Sequence, residues 1–227
     1  MDDPTPSDVN GPHQGQELAT AGAPLNVADA AIVLVHGRGA TARSILDLGD
    51  AVHHHGVAHL APQAQGNTWY PYSFLAPVES NEPGRTSGVG AIADAIAEAN
   101  DGGVPTERIA LVGFSQGACL ASEFVARRPR RYGGLAALSG GLIGSEIEPS
   151  DYEGDLDGTP VFLGCSDVDP HIPVERVHET TAVFERLNAD VTERIYEGMG
   201  HGINDDEIEF VREMVAALVD DTPASER

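Results

Sequence analysis

The chemistry in this chain gathers around Gly113-Phe114-Ser115-Gln116-Gly117, its only G-x-S-x-G pentapeptide. The apolar run Ile109 to Val112 precedes it, and a helix-compatible run from Ala118 to Arg128 follows, so the serine stands on a strand-to-helix turn. Such a turn forces its central residue into a strained conformation, and glycines on both sides keep the neighbouring backbone clear. A serine hydroxyl is a weak nucleophile at neutral pH. It needs an imidazole to take its proton and a carboxylate to fix that imidazole's tautomer.

On a strand–turn–helix nucleophile, the partners follow in the order serine, acid, histidine. Of nine histidines, three follow Ser115: His171, His178 and His201. His178 falls within an amphipathic helix. His201 lies in Gly198-Met199-Gly200-His201-Gly202, just past the strand Val191 to Tyr196, and is the expected base. The carboxylates of Asp167 and Asp169 sit in Cys165-Ser166-Asp167-Val168-Asp169-Pro170, beyond another strand, and either suits the acid. His171, next to that loop, reads as a wall of the substrate pocket. Charge developing on a carbonyl oxygen needs backbone donors. The amide of Gln116 is one candidate. The amide of Arg38, in the loop His36-Gly37-Arg38-Gly39-Ala40, is the other.

Six strands are predicted to bring these loops to one edge: Ala31 to Val35, Val57 to Ala61, Ile109 to Gly113, Leu135 to Leu138, Val161 to Gly164 and Val191 to Tyr196. Amphipathic stretches alternate with them. Their stripes include Val89, Ile92 and Ile96; Val174, Val177, Phe184 and Leu187; and Ile208, Val211, Val215 and Leu218. This alternation is that of an α/β domain, a mainly parallel sheet flanked by helices. The stretch from Gln63 to Gly88 is long for a connection and rich in Pro, Asn and aromatics, which suits a functional loop. Trp69 and Tyr70 within it are expected to wall the pocket. Residues 1–22 read as a flexible acidic tail, 23–220 as the domain and 221–227 as a second tail.

The 227 residues carry a formal charge of −23, from 36 acidic and 13 basic side chains. Every basic one is arginine. The acids are spread along the whole chain, as in a surface adapted to a salt-rich cytoplasm, where a screening length of about 3 Å at molar salt removes their repulsion. Such a surface excludes nucleic acid and anionic membranes as partners, since both demand basic patches. No apolar run approaches a membrane span, and the amino terminus lacks the signature of a signal peptide. Two cysteines, Cys119 and Cys165, make no disulfide framework, and a cytoplasmic location is expected. His53-His54-His55, placed on a helix, would point three ways, so no metal is expected there. Asp205, Asp206 and Glu207 open the last helix, where solvation and capping account for them.

Taken together, G-F-S-Q-G-A, the upstream H-G-R-G, the D-x-D-P-x-I-P loop and G-M-G-H-G resemble the phospholipase/carboxylesterase family, which includes the acyl-protein thioesterases. The resemblance spans about residues 30 to 218. It implies a single-domain α/β-hydrolase with no large cap domain, working without a cofactor on short-chain esters, thioesters or lysophospholipids. It gives the triad positions to Ser115, Asp169 and His201 and the oxyanion hole to the amides of Arg38 and Gln116. The chain departs from the thioesterases at Gly66 to Phe74 and at Arg38, where those carry an aliphatic residue, and is closer there to bacterial and archaeal carboxylesterases. A serine esterase acting on a small-molecule ester is therefore expected, with thioester or lysophospholipid hydrolysis as its alternative and a non-catalytic binding module as the reading of another class. A homodimer is compatible with the sequence.

Overall fold

The computed structural model describes residues 11–220. Seven strands form one sheet: β1 (Leu18–Gly22), β2 (Ala30–Val35), β3 (Val57–Pro62), β4 (Ile109–Phe114), β5 (Gly134–Leu138), β6 (Pro160–Ser166) and β7 (Asp190–Tyr196), in the order β1-β3-β2-β4-β5-β6-β7. Only β1 runs antiparallel, against β3. Four helices link strands, α1 (Ala42–Ala51), α2 (Gly84–Asp101), α3 (Gln116–Arg127) and α4 (Val174–Arg186), and α5 (Asp205–Asp220) follows β7.

All six predicted strands are present, each within a residue or two of its expected ends. Residues of β2 through β6 are almost all buried, because helices cover both faces of the sheet. Ile45 and Leu48 of α1 and Val211 and Val215 of α5 fill one face. Ile92 and Ile96 of α2, Leu120 and Phe124 of α3, and Val177 and Phe184 of α4 fill the other. The chain moves outward from β2 to β3, then returns across β2 to β4 and continues to β7. Winding therefore reverses between β2 and β4, and their carboxyl ends open the crevice where such sheets bind ligands.

Three expectations need correction. The first 22 residues are not all tail: Leu18 to Gly22 pair with β3 from Leu18↔Pro62 to Gly22↔Ala58. Leu-Ala-Thr-Ala-Gly has one large apolar residue and so carries almost no strand signal, yet an edge strand needs only one partner. The expected tail at 221–227 lies outside the described residues, as do residues 1–10. Helix α2 starts at Gly84, shortening the expected long loop to residues 63–83. The third correction concerns His53-His54-His55, which occupy the turn between α1 and β3 and not a helix.

Candidate active site

Strand β4 delivers Ser115 to the crevice with φ 55° and ψ −121°, a left-handed conformation that a non-glycine residue holds only under constraint. The constraint is backbone: the Ser115 amide donates to the Leu138 carbonyl at 2.9 Å, and the Cys119 amide to the Ser115 carbonyl at 3.0 Å. The flanking glycines are steric necessities. A Cβ at Gly113 would come within 2.5 Å of the Gly117 carbonyl oxygen, and one at Gly117 within 2.0 Å of that of Val35.

Loops from β6 and β7 bring the other two side chains. The Ser115 hydroxyl lies 2.9 Å from His201 Nε2, and His201 Nδ1 lies 2.7 Å from Asp169 Oδ2. A carboxylate only accepts, so Nδ1 carries the proton and Nε2 faces the hydroxyl as an acceptor. Asp169 Oδ1 receives the amides of His171 at 2.8 Å and Ile172 at 3.1 Å. Burial of the Asp169 side chain works against its ionisation, but the hydrogen bonds from His201 and these two amides outweigh it and hold the carboxyl below its ordinary range. Asp167 points elsewhere and takes the Gly198 amide at 2.8 Å, while Ser166 Oγ takes that of Gly200 at 3.0 Å. The loop holding Asp169 is thus stitched to the loop holding His201. The rings of Phe114 and His171 flank the His201 imidazole at 5.1 and 4.8 Å.

Just past His201 in the chain, Asn204 and Glu207 close the start of α5 reciprocally. The Glu207 amide donates to Asn204 Oδ1, and the Asn204 amide to Glu207 Oε2. Glu207 is fully buried against Gly164 and not solvated as expected, and burial pushes its carboxyl up to about 7.

Across the crevice, the turn after β2 is fixed by the Gly39 amide donating to the Asn67 carbonyl at 2.7 Å and the Ala40 amide to that of Gly37 at 3.2 Å. Among the described residues the Arg38 amide has no acceptor. The Gln116 amide opens α3 and so lacks an intrahelical acceptor as well. Arg38, Ser115 and Gln116 line the same cleft.

The side chains of these residues perform a task that the sequence did not disclose. The Arg38 guanidinium donates to the carbonyls of Tyr70, Pro71 and Tyr72 at 2.8, 3.1 and 2.9 Å. Gln116 accepts the Trp69 amide at 2.9 Å and donates to the Tyr70 carbonyl at 2.8 Å. Both clamp the 63–83 loop over the elbow. A paired G-x-S-Q-G and H-G-R-G, with their long polar side chains beside a long loop, was the signal available.

The resulting cleft holds about 560 Å³ and is walled by Tyr70, Tyr72, Phe74, Phe114, His171 and Ile172. Tyr70 and His171 line it as expected. Trp69 does not: it is wholly buried, and its indole donates to the His36 carbonyl at 2.8 Å. Cys119 reaches the floor, hydrogen-bonded with the Tyr70 hydroxyl, and burial pushes its thiol up to about 11, which keeps it a neutral thiol at neutral pH. Among the described residues no group of three His, Cys, Asp or Glu side chains could hold a metal ion.

Comparison with known proteins places this geometry. Acyl-protein thioesterase 1 of Kluyveromyces lactis is 36% identical over 117 residues, covering 50% of this chain and 51% of that protein. Its counterpart in Yarrowia lipolytica is 28% identical over 145 residues, or 62% and 64% of the two chains. The chain thus matches about half to two thirds of the length of these curated relatives. Among solved structures, a phospholipase/carboxylesterase from Dyadobacter fermentans superposes with a TM-score of 0.85 at 42% identity, over 89% of this chain and 97% of that one. Esterase PE8 gives 0.74 at 25% identity, over 89% and 99%. Residues 20–219 match the family described as phospholipase/carboxylesterase. With the match running from β1 through α5, this α/β-hydrolase chain belongs to the phospholipase/carboxylesterase family.

Proposed function

We propose that the chain is a serine carboxylesterase that cleaves small carboxylic esters through an acyl-enzyme. The observation that carries this reading is the unbroken hydrogen-bonded line from Asp169 through His201 to Ser115, in a cleft that Arg38 and Gln116 also line. As the Ser115 oxygen attacks the ester carbonyl, its proton passes to His201 Nε2, and Asp169 stabilises the imidazolium. The carbonyl oxygen becomes an alkoxide held by the amides of Arg38 and Gln116. Its collapse breaks the bond to the alcohol, which leaves with the proton from His201. Water then gives its proton to His201, attacks the acyl carbon and releases the acid and Ser115. No step draws on a metal or cofactor.

The aromatic walls favour an uncharged, compact acyl group, since the one guanidinium at the cleft is already spent on three carbonyls. The same machinery serves thioesters, and the relatives named acyl-protein thioesterase 1 make that the second reading. The distributed acidity supports a small ester partner in a cytoplasmic setting, with neither nucleic acid nor an anionic membrane as partner. The test is labelling by a fluorophosphonate in molar potassium chloride, with hydrolysis of p-nitrophenyl esters of graded length and of acyl thioesters. Labelling and turnover of the shorter esters, both lost in Ser115→Ala, are expected. A native protein that neither labels nor turns over would overturn the reading.

A further inference from the structure

Trp69, the only tryptophan of the chain, lies between two buried imidazoles. The His13 ring meets it edge-on at 5.2 Å, and the His36 ring lies tilted against it at 4.9 Å. Two consecutive amides of the covering loop donate to these rings: Ala64 to His36 Nε2 at 3.1 Å and Gln65 to His13 Nδ1 at 3.0 Å. The opposite nitrogens face carbonyls, His36 Nδ1 that of Gly37 at 2.8 Å and His13 Nε2 that of Trp69 at 2.8 Å. Each tautomer is therefore fixed, and each ring must be neutral, since a second ring proton would point at an amide N–H.

Trp69 transmits this arrangement to the site. Its indole binds the His36 carbonyl, one peptide from the Gly37-Arg38 turn, and its amide binds the Gln116 side chain. His13 itself is anchored from behind, its amide donating to Ser87 Oγ of α2 at 2.8 Å. We propose that His13 is a positioning residue for the oxyanion turn, acting through Trp69 and the Gln65 amide on the backbone of Gly37-Arg38 and on Gln116. The role in the reaction rests on the reading of Ser115 as nucleophile; the mechanical coupling to Trp69 does not.

Burial holds both imidazoles below the usual histidine range. The titratable groups around His13 are His36 across Trp69 and the carboxyls of Glu17, Asp94 and Glu98, which line the small cleft on its outer side. Acid sufficient to protonate His13 removes the acceptor of the Gln65 amide and sets a cation against the indole.

The experiment combines tryptophan fluorescence against pH with steady-state ester hydrolysis for the wild type, His13→Asn and His13→Ala. An Asn carboxamide oxygen can take the place of Nδ1 and accept from Gln65 without titrating. In His13→Ala, kcat is expected to fall about ten-fold with KM little changed, as when a reacting geometry is displaced. His13→Asn is expected to retain kcat within about two-fold and to lose part of the acid quenching of Trp69 expected of the wild type as His13 takes up a proton. A wild-type kcat in His13→Ala, or a loss confined to KM, would overturn the proposal. If the alanine variant does not fold, the asparagine titration decides, and a quenching curve identical to that of the wild type sinks it. Histidine-dependent quenching in a protein that fluorophosphonate does not label would overturn the nucleophile reading and leave the coupling to Trp69 standing.

Discussion

At Ser115 the reactive conformation and the hydrogen-bonded partners are separate achievements. The left-handed backbone is held by hydrogen bonds to Leu138 and Cys119 between glycines at which a Cβ would clash, and the side chains bonded in line with its hydroxyl come from two distant loops. Replacing Ser115 by Ala is expected to lower kcat/KM by at least about 10⁴-fold, and Asp169→Asn by about 10³ to 10⁴, because the amide stabilises the wrong imidazole tautomer. Asp167→Asn, which only weakens a brace on Gly198, is expected to change it less than about ten-fold. Ester kinetics on the three variants separate the two carboxylates. A larger effect at Asp167 than at Asp169 would contradict the assignment. Glu207 gives a pH signature at the same scale. Its folded value of about 7 stands above its ordinary 4.5, so between these the native state keeps a proton that the unfolded chain has released. Its contribution is complete below about pH 4.5 and is lost as pH rises towards 7 and beyond. Glu207→Gln can still cap Asn204, and urea midpoints at pH 5 and 8 are expected to diverge less in that variant than in the wild type.

Among the elements, α2 and α3 meet at Glu123, a wholly buried carboxylate that Arg85 and Arg127 reach at 2.9 and 2.7 Å. Removing it takes a buried carboxylate from Arg85, which keeps Glu82, and from the partly exposed Arg127, and Glu123→Ala is expected to cost about 3 kcal/mol in a denaturant titration. An unchanged midpoint would contradict this. Helix α2 also comes close enough to α3 that a Cβ at Gly88 would lie 2.8 Å from Leu120 and 3.2 Å from Trp69. That contact explains why Trp69 is core. Its neighbours in sequence are turn residues and aromatics, which read as a loop, and its burial depends on a glycine nineteen positions away. Much else was legible. Strands with continuous apolar runs, such as β4 and β6, announce themselves, and Ser115 and Asp169 stand one and three residues past them; His201 stands five residues past the more polar β7. Strand β1 carries too few large apolar residues to be seen. Arg38 and Gln116 were readable as amide donors from position alone, but their side-chain clamps depend on where the 63–83 loop settles, which no local pattern encodes. His13 lay in a stretch without periodicity and is ordered by contacts with residues 52 to 74 positions on.

For the whole molecule, 36 acids against 13 arginines leave a surface that repels itself in dilute buffer. Several arginines are occupied internally: Arg38 and Arg176 bind carbonyls, and Arg85 and Arg127 serve Glu123. Stability is therefore expected to rise from dilute buffer to molar potassium chloride, where the screening length falls to about 3 Å. Equal thermal midpoints in both would contradict a surface adapted to salt. The same high-salt condition suits the measurement that bears most directly on the proposed reaction. The protein is mixed with a slowly deacylating p-nitrophenyl ester, quenched in acid within the first turnover, and weighed intact and as peptides by mass spectrometry. The expected result is a burst of p-nitrophenol close to one per chain, with the acyl mass on Ser115. Turnover without an adduct, or an adduct on Cys119 in place of Ser115, would contradict it.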